Sequence, residues 1–167
     1  MNSIKILDCT LRDGGYYNDW RFSKSLVSEY IKAVNNSNID IVEIGFRFLK
    51  KNNYGFFANT EENLINNIKF RKNLKVAVML NSADLSFNSD YKNQLKKNFV
   101  KKSKSKISVI RLATHLKDIE KIVPHVKFLK KLGYNVVVNL MQIDKVDKKD
   151  LIRTLKILKK TNSVTAF

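Results

Sequence analysis

The chain has 167 residues, 44% of them hydrophobic, with five glycines, one proline and a net charge of +17. That length fits one domain, 1–167, and the composition excludes pervasive disorder. Also excluded are a membrane-crossing apolar run, a secretory leader at Met1-Asn2-Ser3-Ile4-Lys5 and an internal disulfide, since Cys9 is alone; a cytoplasmic protein is expected.

The predicted elements alternate. Ile4 to Asp8 reads as a strand, and Ser23 to Asn36 as a helix with Leu26, Val27, Tyr30, Ile31 and Val34 on one face. Ile39 to Gly45 is a second strand, and Thr60-Glu61-Glu62 an N-cap and acidic first turn for a helix through Leu64, Ile65 and Ile68. Leu74 to Leu80 is a third strand, followed by a weak helix near Tyr91 to Phe99. Ile107 to Leu112 is a fourth. The next helix carries Ile119, Ile122, Val123, Val126 and Leu129, and Pro124 predicts a kink or a later start within it. Asn135 to Met141 is a fifth strand, Leu151 to Leu158 a last helix, and Ser163 to Phe167 the opening of a sixth strand.

Strand–helix alternation at this spacing requires parallel pairing with right-handed crossovers. Two architectures satisfy it: an open doubly wound sheet, or a segment of a (β/α)8 TIM barrel holding about the first five and a half units. The G-x-G-x-x-G loop of a dinucleotide-binding sheet is absent; Gly14-Gly15 alone is not a phosphate loop.

The positive charge is nearly all lysine, with arginine only at 12, 21, 47, 71, 111 and 153. Sequence-specific nucleic-acid readers rely on arginine's bidentate fork, so no specific nucleic-acid partner is expected. The dense run Lys96 to Lys106 reads as a solvated helix end and loop.

Polar residues gather after the strands' C-terminal ends, the functional face of either architecture. Strand one leads into Asp8, Cys9, Thr10, Arg12, Asp13, Tyr16 and Tyr17. Glu43 lies in strand two with Arg47 beyond it, Asn81 follows strand three, Arg111, Thr114 and His115 end strand four, and Asn139 and Gln142 end strand five. A carboxylate next to an arginine suits a divalent cation beside an anionic substrate oxygen, the cation polarising a carbonyl while the guanidinium shares the developing charge. It equally suits an ion pair pinning a loop.

Asp8-Cys9-Thr10-Leu11-Arg12-Asp13-Gly14 resembles the D-x-T-L-R-D-G signature that opens the DRE-TIM metallolyases, which include the HMG-CoA lyases, the pyruvate carboxyltransferase domains and the 4-hydroxy-2-oxovalerate aldolases. Ile41-Val42-Glu43-Ile44-Gly45 is similar to the family's second-strand I-E-x-G segment, and Arg111-Leu112-Ala113-Thr114-His115 to the aldolase branch's R-V-A-T-H. The resemblance covers essentially the whole chain. It implies a TIM barrel, a divalent metal (Mn²⁺ or Mg²⁺) and a small-molecule 2-oxo acid substrate, cleaved or joined at a carbon–carbon bond through a pyruvate enolate. Asp13 matches the metal-ligand aspartate, Arg12 the arginine that stabilises the enolate, and Glu43 a glutamate expected to orient Arg12. Asp8 and Thr10 are expected as structural supports.

Three departures accompany the match. The family's H-x-H metal ligands have no counterpart, since His115 and His125 are the only histidines. A barrel takes about 250 residues, so the chain reads as a truncated relative. Tyr16 stands where the aldolase branch has its acid/base histidine, and a phenol with an ordinary pKa of about 10 is a poorer base. Tyr16 and His115 are therefore candidates for proton transfer, with pocket walls as the plainer reading of each. Arg47, Arg111 and Asn139 are candidates for substrate binding, Arg47 also reading as an ordinary exposed loop arginine. Cys9 is expected to be buried packing and His125 to lie at the surface. Tyr54, Phe56 and Phe57 read as a lid or as loop anchors. The alternative to an active lyase is a catalytically inactive relative with a binding role or none. Unpaired strand edges predict a homo-oligomer or a complementing C-terminal half-barrel.

Overall fold

The computed structural model describes residues 4–50 and 52–164. Five parallel strands, β1 (Leu7–Asp8), β2 (Ile41–Phe46), β3 (Lys75–Asn81), β4 (Ile107–Thr114) and β5 (Asn135–Leu140), lie side by side in chain order. Seven helices accompany them: α1 (Thr10–Gly14), α2 (Lys24–Asn36), α3 (Phe56–Asn59), α4 (Glu62–Asn66), α5 (Tyr91–Asn98), α6 (Ile119–Lys131) and α7 (Lys148–Lys160). Sequential order decides between the two architectures. A doubly wound sheet reverses direction at a switch point, whereas here every strand pairs with the next, as in the wall of a barrel. The chain is an α/β, partial (β/α)8 barrel.

Side chains that point outward from the sheet build the core. Val42, Ile44, Val76, Val78, Ile110, Leu112, Val136 and Val138 are buried with Ile122, Val126 and Leu129 of α6 and Leu158 of α7. Truncating one of these large aliphatics to alanine costs about 2–5 kcal/mol. The opposite face runs through residues in register: Glu43 beside Ala77, Met79 beside Arg111, and Ala113 beside Asn139. On β5 the half-exposed Val137 and Asn139 alternate with buried Val136 and Val138, so the polar groups share the concave side.

Several expectations are corrected. The first strand shrinks to two residues because its partner β2 begins at Ile41, opposite Leu7. The loop after it is instead helical through Gly14. Glu61, not Thr60, stands at the N-cap position of α4, without a side-chain capping bond; the Thr60 hydroxyl is buried, donating to the Phe46 carbonyl at 2.6 Å. α6 starts at Ile119 and runs unbroken through Pro124 to Lys131, so Pro124 does not delay its start. The carbonyl it leaves without its usual donor belongs to Glu120, an exposed residue in the first turn. Of the sixth strand, Ser163 and Val164 carry no regular structure and the rest lies outside the described residues.

Candidate functional site

The site begins where β1 gives way to α1. Asp8 accepts from the backbone N–H of Thr10 at 3.1 Å, from its hydroxyl at 3.0 Å and from the Tyr30 hydroxyl. This clamp turns the chain abruptly into α1. One turn later Arg12 and Asp13 emerge at the strand ends. Cys9, expected in the core, is instead half-exposed just before α1, and its thiol donates to Asp13 Oδ2 at 3.2 Å. Burial and that hydrogen bond raise the thiol pKa, which keeps it protonated and a poor nucleophile.

Arg12 is held from several sides. Its Nε donates to Glu43 Oε2 at 2.8 Å, and its Nη1 pairs with Asp13 Oδ1. Burial opposes its charge, but Glu43 and then Asp13 more than offset this and raise its pKa. The side chain stays 13% exposed, and its Nη2 donates no hydrogen bond among the described residues. One donor of the fork is therefore uncommitted.

Glu43 is fully buried. Its Oε2 also accepts from Arg111 Nη1 at 2.7 Å, and Arg111 Nη2 continues to Asn139 Oδ1 at 3.0 Å. A polar chain thus runs from Arg12 through Glu43 and Arg111 to Asn139, across β2, β4 and β5. Burial raises the Glu43 pKa against the pull of both arginines, Arg111 foremost, and its Oε1 is buried without a partner.

Trp20 shapes the other wall, and the sequence reading had not singled it out. It is buried at a left-handed φ of 57°, an uncommon conformation for a bulky residue. Its indole N–H donates to the Arg12 carbonyl at 3.0 Å. Its ring meets Tyr16 at 5.0 Å and both Phe46 and Phe48 at 5.4 Å. A Cβ on Gly15 would lie 2.0 Å from the indole, and one on Gly55 would lie 2.0 Å from the Trp20 carbonyl. The only tryptophan, one turn beyond a glycine pair, was the available signal. Tyr16 is 63% exposed beside this wall, and burial of the remainder raises its phenol pKa, so it is neutral near pH 7.

The remaining candidates lie elsewhere. Arg47 is not an exposed loop arginine: it is buried, donates to the Asn98 carbonyl and to Glu62 at 3.3 Å, and lies 5.2 Å from the Phe99 ring. His115 lines a separate groove of about 1020 Å³ with Met141 and Gln142. His125 is buried rather than at the surface, because it shares the inward face of α6 with Ile122 and Leu129. Its Nε2 lies 2.7 Å from the Ser86 carbonyl. Tyr54 packs 5.5 Å from Trp20 and Phe57 is buried, both as anchors, while Phe56 is exposed.

As a metal centre the residues are incomplete. Asp13 offers one carboxylate, already engaged by Arg12 and Cys9, and no group of three His, Cys, Asp or Glu converges among the described residues. Mg²⁺ and its relatives take about six oxygen ligands, so these side chains alone do not fit the ion. No helix among the described residues is long and apolar enough to cross a membrane.

No family model matches the chain. Three curated relatives are named 4-hydroxy-2-oxovalerate aldolase. The one from Carboxydothermus hydrogenoformans is 26% identical over 167 residues, that from Pelotomaculum thermopropionicum 24% over 163, and 4-hydroxy-2-oxovalerate aldolase 6 of Rhodococcus jostii (strain RHA1) 22% over 165. The alignments cover 92–94% of this chain and 43–44% of each relative, so the chain spans less than half their length. The crystal structure of the N-terminal domain of a candidate aldolase from Bacteroides vulgatus is similar at a TM-score of 0.71 and 26% identity, over 94% of this chain and 60% of that one. The chain resembles these aldolases in sequence and in fold.

Proposed function

We propose that the chain is part of an aldolase-type lyase that cleaves or forms a carbon–carbon bond of a 2-oxo acid through a pyruvate enolate, similar to the 4-hydroxy-2-oxovalerate aldolases. The observation that carries this reading is the Arg12 fork, fixed through Nε by buried Glu43 and left with Nη2 uncommitted just after the first strand. In the cleavage direction a base takes the proton of the 4-hydroxyl and the C3–C4 bond breaks. The aldehyde departs, and the electron pair stays on C3 as the enolate of pyruvate. Arg12 donates to the enolate oxygen as charge builds there, an interaction stronger in the transition state than in the ground state. Protonation at C3 then gives pyruvate.

Tyr16, neutral and beside Arg12, suits donation of that proton better than acceptance of the first one. His115 is the alternative proton carrier, although it lines a different groove. Arg111 and Asn139 act in this reading by holding Glu43, and Asp13 by steadying the Arg12 fork. A divalent metal at Asp13 belongs to the reading only with ligands from outside the described residues.

The test is deuterium uptake into the pyruvate methyl group in D2O, followed by mass spectrometry. Exchange above the buffer background that Arg12→Ala abolishes is the expected outcome; exchange unchanged in that variant would sink the enolate role. A second reading, an inactive relative that binds but does not turn over, is favoured by the lone carboxylate at the site. It predicts no exchange, with oxalate, an enolate mimic, still bound in calorimetry and lost in Arg12→Ala.

A further inference from the structure

On the outer surface, away from the site, α2 and α4 fail to close against each other. A helix of 13 residues such as α2 runs about 20 Å, whereas the five residues of α4 run about 7.5 Å. The shortfall leaves a groove of about 670 Å³ along α2. Its floor is apolar: Phe22, Val27, Ile31, Phe57, Leu64 and Ile68. At one end Phe56 stands 77% exposed, a large aromatic held in water. Val27, Ile31 and the neighbouring Asn35 follow helical spacing, so the groove presents a straight stripe rather than a closed cavity.

Charge separates this groove from the others. Lys24, Lys32 and Lys69 rim it, none of them in an ion pair among the described residues, and no carboxylate lines it. The groove at His115 contains Glu120, Asp147 and Asp150, and the one at Arg47 contains Glu61 and Glu62. Of these three grooves, the α2–α4 groove alone combines lysines with no carboxylate. We infer that the α2–α4 groove docks an acidic amphipathic helix of a partner protein. Its apolar stripe would lie on the Val27–Ile31–Leu64–Ile68 floor and its carboxylates against the three lysines. A second copy of this chain fits poorly, because its own amphipathic helices α6 (IEKIVPHVKFLKK) and α7 (KKDLIRTLKILKK) would bring lysine against lysine.

The test is fluorescence anisotropy with a labelled 14-residue peptide, leucine at i, i+3, i+4 and i+7 and glutamate on the flanks. A scrambled peptide of the same composition without the stripe is the control, both in about 0.15 M salt to screen distant charge. The stripe peptide is expected to bind at least tenfold more tightly than the scrambled one. Phe56→Ser and the pair Lys32→Glu with Lys69→Glu, all exposed positions outside the core, should each weaken it about tenfold. The remote pair Lys145→Glu with Lys149→Glu should change it less than twofold. Equal binding of the scrambled peptide, or equal loss on remote charge reversal, would overturn the proposal by showing attraction to net charge alone. Concentration-dependent self-association relieved by Phe56→Ser would overturn it in favour of a second copy.

Discussion

Two buried arginine–carboxylate pairs flank β2, and they differ in what they leave open. Arg47 is sealed from water: Nη1 donates to the Asn98 carbonyl, Nη2 to Glu62, Phe99 covers its face, and the Nε left without a partner is buried. It ties the end of β2 to α4 and α5 and carries the signature of a structural clamp. Arg12 is held at Nε by Glu43 and at Nη1 by Asp13, which leaves Nη2 over, and the same Glu43 oxygen is held in place by Arg111. Each arginine has a donor left over after the fold is satisfied; the difference is that the spare donor of Arg12 is accessible and that of Arg47 is buried.

The largest effect should fall on the shared carboxylate. Glu43→Ala strands two arginines in a buried setting, and breaking such a pair costs about 3–5 kcal/mol, read as a lower urea midpoint. Arg47→Ala should cost less, about 1–3 kcal/mol, because Glu62 is 20% exposed and can turn toward water. It should leave pyruvate exchange or oxalate binding unchanged once the protein is folded. Equal losses in the two variants would break the contrast, and a binding defect in Arg47→Ala would reverse it.

The smallest effect concerns pH. Burial lowers the pKa of His125 below its ordinary 6.5, so the folded state binds fewer protons there than the unfolded chain. Its contribution to stability is full above about pH 6.5 and is lost as pH falls from there through the depressed folded value. Midpoints of urea unfolding measured from pH 7.5 down to pH 5 should decline, and His125→Gln should flatten the decline. An unchanged slope would place the pH dependence elsewhere.

Strand and helix positions were legible wherever one period dominated. The apolar runs at Leu74–Leu80 and Ile107–Leu112 became β3 and β4 almost unaltered, and Ser23 caps α2 by accepting from the Leu26 N–H at 3.2 Å. His125, expected at the surface, is buried, as its spacing from Ile122 and Leu129 along α6 requires. The sequence signal for Trp20, a lone tryptophan after a glycine pair, does not reveal its role, which depends on a left-handed turn that brings its indole back eight residues onto the Arg12 carbonyl. Arg47 and Arg111 looked alike in the sequence, each just beyond or within a strand.

By itself, then, the sequence determined the alternation of parallel strands and helices, through hydrophobic periodicity, and the presence of Arg12, Asp13 and Glu43 in a recognisable pattern. Those are local properties, set by spacing along one chain. The family resemblance implied the barrel and the pairing of Glu43 with Arg12; only the tertiary structure decided that Glu43 is also shared with Arg111 and that Arg47 is sealed. Each of these depends on which strand lies beside which, and on the desolvation that follows when side chains 31 to 68 residues apart meet in one place.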